Sequence, residues 1–305
     1  MYYVGPVISI HKKGKNCGTA LMYASAGGHV KIVAQLIAAG ADTAFLNKNG
    51  LAALILASAG GHVDVVVQLM AAGVDITIQN KDGTSVLMYA CANGHAQVVT
   101  QLIAAGADAH IQNKNGLTPL MYACANGHTQ VVAQLIAVGV DTHMQNKDGL
   151  TPLMYACANG HAQVVAQLIA VGVDVNVQDK NWLTALMYAS AHSPEIIAQL
   201  IEAGVDVNEQ DKNGLTALIY ASREIRIELV AQLIAAGTHI NTQSDDGLSA
   251  LMLASRDGNT ELVGQLIAGG ADVNEQDKGG FISLIYTSWI DFVQMVSQFI
   301  GRSSY

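Results

Sequence analysis

The sequence is poor in several things at once. Aromatic residues make up 5% and charged residues 13% of its 305 positions, and it holds only four prolines and four cysteines. No apolar run approaches the roughly 20 residues that a membrane-crossing helix needs, so no membrane span is expected. The opening residues lack a basic start followed by an apolar core, so no secretory signal is expected. Nothing matches a glycine-rich phosphate loop, a His-Glu-x-x-His pair or a Gly-x-Ser-x-Gly elbow. With those grounds for catalysis missing, the chain reads as a non-enzyme. Glutamate is absent from residues 1–180, where nine Lys+Arg balance nine Asp; residues 181–305 hold six Lys+Arg against fifteen Asp+Glu. A neutral part followed by an acidic one offers no basic stripe for a phosphate backbone, so nucleic acid is not an expected partner.

What is there is repetition. Residues 116–148 read GLTPLMYACANGHTQVVAQLIAVGVDTHMQNKD, and residues 149–181 nearly copy them. The leucine that opens each copy recurs at Leu21, Leu54, Leu87, Leu120, Leu153, Leu186, Leu218, Leu251 and Leu284, in steps of 33 with one step of 32. That makes about nine units. Within a unit, Thr118 is a good helix N-cap and Pro119 suits the first helical position. Leu120, Ala123 and Cys124 follow at helical spacing, and Gly127 ends a short helix. Val131, Val132, Leu135 and Ile136 give a second helix its apolar stripe, and Gly139 stops it. The unit closes on Asp148-Gly149, which reads as a two-residue hairpin signal. Two short antiparallel helices cannot bury themselves, so each unit must stack on its neighbours.

With these pieces in place, Asp148-Gly149, Thr151-Pro152-Leu153, Gly160-His161 and Gly172-Val173-Asp174, the unit resembles an ankyrin repeat. The style is closer to the long arrays of bacteria and protists than to animal ankyrins. The resemblance implies an all-α repeat solenoid of paired antiparallel helices with β-hairpin fingers over residues 16–305, with residues 1–15 as a degraded lead-in. The family's first histidine is replaced by methionine or isoleucine at Met22, Met88, Met121, Met154, Met187 and their equivalents, which exchanges a hydrogen bond for apolar packing. The resemblance also implies that His29, His62, His95, His128 and His161 bond backbone between repeats. As a column with a step of about 10 Å they cannot converge on one metal, whose ligands lie about 2 Å from its centre. No metal and no cofactor are expected.

Other columns follow the same period. Cys91, Cys124 and Cys157 sit too far apart for disulfides, which need Cα atoms within about 7 Å, and read as buried thiols in a reducing, cytoplasmic setting. By fold-level analogy a secreted effector acting inside a host cell is the alternative location. Asp42, Asp75, Asp108 and their successors are placed to cap turn N–H groups. Gln35 through Gln298 recur once per unit, on the expected outer surface of the second helix. Residues 181–212 form an irregular unit: Trp182 stands where a turn glycine belongs, one residue is missing, and Ser193-Pro194-Glu195 replaces the Gly-His pair. Residues 279–305 form an aromatic-rich terminal unit with Phe281, Trp289 and Phe292.

The function expected is non-catalytic binding of a protein partner, as scaffold or adaptor, on the concave helix and finger face; the alternative is structural self-association through an apolar end or stripe. The candidate partner-binding residues are Tyr89, Tyr122, Tyr155 and Tyr188 on the first helices, Ile78, Ile111 and Met144 on the fingers, and Leu117, Leu150 and Trp182 at the turns. The acidic later units would favour a basic segment of the partner. The chain itself is expected to be a monomer or a weak homo-oligomer.

Overall fold

A computed structural model describes residues 18–191 and 193–286. The lead-in, Cys17, and the terminal residues Trp289, Ile290, Phe292 and Met295 lie outside the described residues. Contacts group the chain into two compact units, Met1–Lys147 and Asp148–Tyr305. In the first, α1 (Ala20–Ala26), α3 (Ala53–Ala59), α5 (Val86–Ala92) and α7 (Pro119–Ala125) stack in one row. Their partners α2 (Val30–Ala38), α4 (Val63–Ala71), α6 (Ala96–Ala104) and α8 (Thr129–Ala137) stack in a second. In the second unit the first row is α9 (Pro152–Ala158), α11 (Ala185–Ala189), α13 (Ala217–Arg223) and α15 (Ala250–Arg256), continued by a 3-10 turn at Ser283–Tyr286. The second row is α10 (Ala162–Ala170), α12 (Pro194–Glu202), α14 (Ile227–Ala235) and α16 (Thr260–Ala268).

The elements follow from the repeat. Thr19, Ser85, Thr118, Thr151, Thr184, Thr216 and Ser249 each accept a hydrogen bond from the N–H three residues on, which starts the first helix. Ala52 offers no such bond, as its side chain dictates. Ser193 stands at the start of α12 with Pro194 as its first residue, but its hydroxyl makes no cap bond. The first helices other than α11 end in a paired motif: in the fourth repeat Gly127 N–H reaches the Cys124 carbonyl and His128 N–H reaches that of Ala123. Gly127 has φ 71°, a left-handed value that glycine takes without a Cβ penalty.

The core is one apolar seam per unit. The opening leucines, the alanine at Ala57, Ala90 and Ala123, and paired valines such as Val131 and Val132 are buried. The substituted methionines are buried as well, yet they are not purely apolar filling. The Met88 sulfur accepts from Ser85 N–H and that of Met154 from Thr151 N–H, each at 3.4 Å, closing a capping box in which sulfur does the work of a carboxylate.

Three details differ from expectation. The fingers carry no strand ladder among the described residues, only isolated bridges at Gln79–Ser85, Gln178–Thr184 and Gln276–Ile282. The turn is also longer than an Asp-Gly pair. Gly116 N–H donates to the Asn113 carbonyl and Asn113 N–H to that of Leu117, which encloses three residues, Lys114, Asn115 and Gly116. The glycine must be left-handed to close that loop, and it is, at φ 78°. The glutamines also differ. Gln68, Gln134, Gln167, Gln199, Gln232 and Gln265 are half-buried with enclosed amide oxygens, because the second helices pack side by side over them. Gln134 of α8 donates to the Thr100 hydroxyl of α6 at 3.2 Å.

Candidate interaction surface

The face of interest is built by the first helices and the fingers, and a polar residue at the start of each turn organises it. In unit one, the Asn113 side-chain oxygen accepts from Asn115 and Leu117 N–H at 2.9 Å each, and Asn80 does the same for Asp82 and Thr84. In unit two, Asp179, Asp211 and Asp277 hold their turns the same way. Nine residues later stands the tyrosine of the first helix, and its hydroxyl meets this turn residue. Asn80 and Asn113 donate to the hydroxyls of Tyr89 and Tyr122 at 2.9 and 3.1 Å. Asp179 and Asp211 accept from those of Tyr188 and Tyr220 at 2.8 Å each, and Asp277 accepts from Tyr286. Sequence reading missed this column. The signal was available as a fixed spacing of nine, with Leu56 and Leu253, which have no hydroxyl, standing opposite Asn47 and Ser244.

The proton's direction leaves a mark on each phenol. Tyr89 is pushed up by burial, while the bond donated by Asn80 pulls the other way. Tyr220 is pushed up to about 12, first by burial and then by the Asp211 carboxylate that takes its proton. Tyr188 rises further for the same two reasons, with Asp179 as acceptor.

The other candidates fall around this line. Tyr89, Tyr122, Tyr155 and Tyr188 are half-buried, and so are Ile78, Ile111 and Met144 on the fingers and Leu117 and Leu150 beside the turns. Trp182 alone is exposed, at 53%. Within unit one the structure therefore gathers Tyr89, Tyr122, Ile78, Ile111, Met144 and Leu117 along neighbouring repeats. Within unit two, Tyr188 and Tyr220 border a cleft of about 260 Å³ with Leu183, Met187, Ala191 and Arg223. It lies beside α11, which is two residues shorter than α9 and α13. The Arg223 guanidinium sits 5.1 Å from the centre of the Tyr220 ring and pairs with Glu224 at 3.7 Å.

Successive fingers are tied by their own backbones. Lys114 N–H reaches the Asp82 carbonyl at 2.9 Å and Lys147 N–H that of Asn115 at 2.9 Å; in unit two Lys180 reaches Asp148, Lys212 reaches Asn181 and Asp245 reaches Asn213. A Cβ on the turn glycine would strike this link: at Gly116 it would lie 2.8 Å from Lys147 N.

The remaining polar columns are structural. His62, His95 and His128 place Nε2 at 2.9, 2.9 and 3.0 Å from the carbonyls of Ala26, Ala59 and Ala92, which end the first helix of the preceding repeat. A carbonyl only accepts, so Nε2 carries the proton. Each ring lies flat on the preceding repeat's glycine, where a Cβ would sit 2.4–2.5 Å from Nδ1. His110, His143 and His239 are exposed on the fingers. Asp42, Asp75, Asp108, Asp141, Asp174, Asp206 and Asp272 each accept from the N–H two residues on. Among the described residues no three His, Cys, Asp or Glu side chains converge on a point. Cys91, Cys124 and Cys157 are buried and form no disulfide, and burial pushes the thiols of Cys91 and Cys157 well up. No helix among the described residues is long and apolar enough to cross a membrane.

A comparison with curated proteins found no match. The family model for ankyrin repeats in three copies matches residues 6–80, 61–142, 87–179, 125–211, 159–244, 186–277 and 224–298, so that the matches together run through nearly the whole chain. On this match, and on the helix pairs, Gly-His bridges and turns described above, the chain belongs to the ankyrin-repeat family.

Proposed function

We propose that the chain is a non-catalytic scaffold or adaptor that binds a protein partner on the face made by its first helices and fingers. Ankyrin repeats are in general protein-interaction modules; the placement on this face is our reading. One observation carries it. The tyrosine hydroxyls are engaged with the turns, which fixes each ring, yet the rings remain partly exposed beside apolar finger residues. A rigid aromatic edge loses little conformational entropy when a partner covers it, which suits a binding hot spot. In unit one the face is Tyr89, Tyr122, Ile78, Ile111, Met144 and Leu117; in unit two it includes Tyr155, Tyr188, Leu150 and Trp182. Three buried thiols outside any disulfide favour a reducing, cytoplasmic setting.

The test is cross-linked capture followed by mass spectrometry, run in parallel with wild type and with Ile111→Arg/Leu117→Arg. A partner held by wild type and lost from the variant, with circular dichroism unchanged, supports the reading. The same proteins captured by both would sink it. A second reading, self-association, rests on Phe281 and Ile285, which are exposed at 49% and 59%. Light scattering at two concentrations decides between them: a concentration-dependent doubling of mass supports self-association.

A further inference from the structure

Trp182 takes φ 64°, the left-handed region held by Gly116, Gly149 and Gly214 at the same point of other turns. The turn itself is unchanged, with Trp182 N–H on the Asp179 carbonyl at 3.0 Å and Asp179 N–H on that of Leu183 at 3.0 Å. An L-residue with a side chain costs about 1–2 kcal/mol there relative to a right-handed conformation. Packing does not offset the cost, because half of the residue lies in solvent. Backbone strain at an exposed aromatic points toward binding rather than folding.

The indole borders an open depression of about 430 Å³, whose other lining residues are Gln178, Asp206, Asn208, Glu209 and Gln210. Several of the lining donors are already committed. Gln178 donates to Glu209 Oε2 at 2.8 Å, and Gln210 donates to the carbonyls of Gly214 and Gln243 at 2.9 and 3.4 Å. The two carboxylates, Asp206 and Glu209, form no ion pair among the described residues. Residues 148–305 carry seven Lys+Arg against eighteen Asp+Glu, so the surroundings are short of cations.

We infer that this open depression takes an arginine side chain from a segment of the protein partner. A guanidinium lies flat on an indole within about 6 Å of the ring centre. In that position its N–H groups can point at the carboxylates, whose paired oxygens match the planar fork better than they match a lysine ammonium. The inference rests on the protein-binding reading above and gives the partner its chemistry: a basic segment with an arginine at its anchor.

The probe is an acetylated, amidated tetra-arginine peptide, titrated calorimetrically into the full chain. Tetra-lysine and the variants Trp182→Gly and Glu209→Gln serve as comparisons. Trp182→Gly installs the residue the turn prefers, so its fold should hold and its Tm should not fall. Tetra-arginine should bind saturably, and each variant should weaken it roughly fivefold or more. Tetra-lysine should bind wild type several-fold more weakly. The proposal is overturned if wild type shows no saturable binding, if Trp182→Gly binds as wild type does, or if lysine equals arginine, since the last two mean diffuse attraction to an acidic surface. A captured partner that Trp182→Gly retains in full would remove the arginine site and leave the protein-binding reading standing. Failure to capture any partner would remove that reading without altering the peptide titration.

Discussion

The two units solve the same two problems with opposite chemistry. To tie a finger to its helix, unit one uses an amide that donates to tyrosine, Asn80 to Tyr89 and Asn113 to Tyr122. Unit two uses a carboxylate that accepts from it, Asp179 from Tyr188 and Asp211 from Tyr220. To tie one repeat to the next, unit one uses His62, His95 and His128 on helix-ending carbonyls. In unit two His161 still heads α10, but the later matching positions hold Arg226 at the start of α14 and Asn259 at the start of α16. There the bridge moves to the finger base, where Asn176, Asn208 and Asn241 accept from the next repeat's Asp206, His239 and Asp272 N–H at 2.8, 2.6 and 2.8 Å. Unit one has Ala44, Thr77, His110 and His143 at that position. The repeat thus constrains backbone geometry more tightly than side-chain identity: whichever residue reaches the orphan group can hold it. The substitutions also set the charge, since residues 1–147 carry eight Lys+Arg against six Asp, and residues 148–305 seven against eighteen acidic groups.

The largest break in this comparison should come from Gly94→Ala. Gly94 is left-handed at φ 73°, and a Cβ there would meet His128 Nδ1 at 2.4 Å. Conformational strain and overpacking add, for a loss of roughly 3 kcal/mol. Urea denaturation measures it; a loss near zero would mean that the histidine ring does not need to lie flat on the glycine.

Next in size is the histidine bridge itself. His95→Ala leaves the Ala59 carbonyl without its side-chain donor and a void over Gly61, which should cost about 2 kcal/mol. Arg226→Ala, at the equivalent place in unit two, should cost under about 0.5 kcal/mol, as exposed substitutions do. Equal losses at the two sites would show that the bridge has not moved to the asparagines.

These contrasts mark where sequence reading stopped. The 33-residue period, the helix pairs and their stops were legible because they rest on backbone needs: a threonine cap, an apolar stripe, a left-handed glycine. The left-handed place of Trp182 was legible for the same reason. The turn was misread because Asp-Gly is a strong local signal, whereas the residue that closes the loop is the asparagine or aspartate three positions before the glycine. The tyrosines were read as a stripe facing a partner. Their hydroxyl bonds join residues nine apart on two different elements, and neither helical nor strand periodicity reports such a pair. The methionine at the first-histidine position looked purely apolar because a sulfur acceptor has no sequence signature of its own.

Alkaline pH should separate the units more gently. The folded-state pKa of Tyr220 is raised to about 12 from an ordinary value near 10, and Tyr188 is raised for the same causes. Such groups lend stability that is fully present below pH 10 and lost as pH climbs through 12. Tyr89 is also raised, but Asn80 stabilises its phenolate, so unit one should lose less over that window. Hydrogen exchange across pH 9–11, corrected for the intrinsic rate, should show protection falling first in α11 and α13. Asn80→Asp should make Tyr89 titrate higher by absorbance. Loss of protection at the same pH in both units would contradict the reversed hydrogen bond.

The smallest effects should come from removing strain. Among the described residues, both non-glycine residues with positive φ lie in unit two: Trp182 at 64° and Ile225 at 56°. Ile225 stands where the other repeats hold the glycine before the histidine, and its N–H still closes the helix on the Ser222 carbonyl. A β-branched residue is ill suited to that region, yet no histidine ring from the next repeat fills the space above it, since Asn259 takes that place. Both residues are exposed, so truncation removes strain while uncovering little core. Ile225→Gly and Trp182→Gly should therefore each stabilise unit two, by about 1 kcal/mol or less once the added freedom of glycine in the unfolded chain is subtracted. The gain should appear as slower exchange in α11 to α14. Those helices should exchange faster than α5 to α8 in wild type, because α11 is short and its repeat lacks the Gly-His pair. If the glycine variants leave α11 to α14 unchanged, the strain is relieved elsewhere and the contrast between the units is one of hydrogen bonding alone.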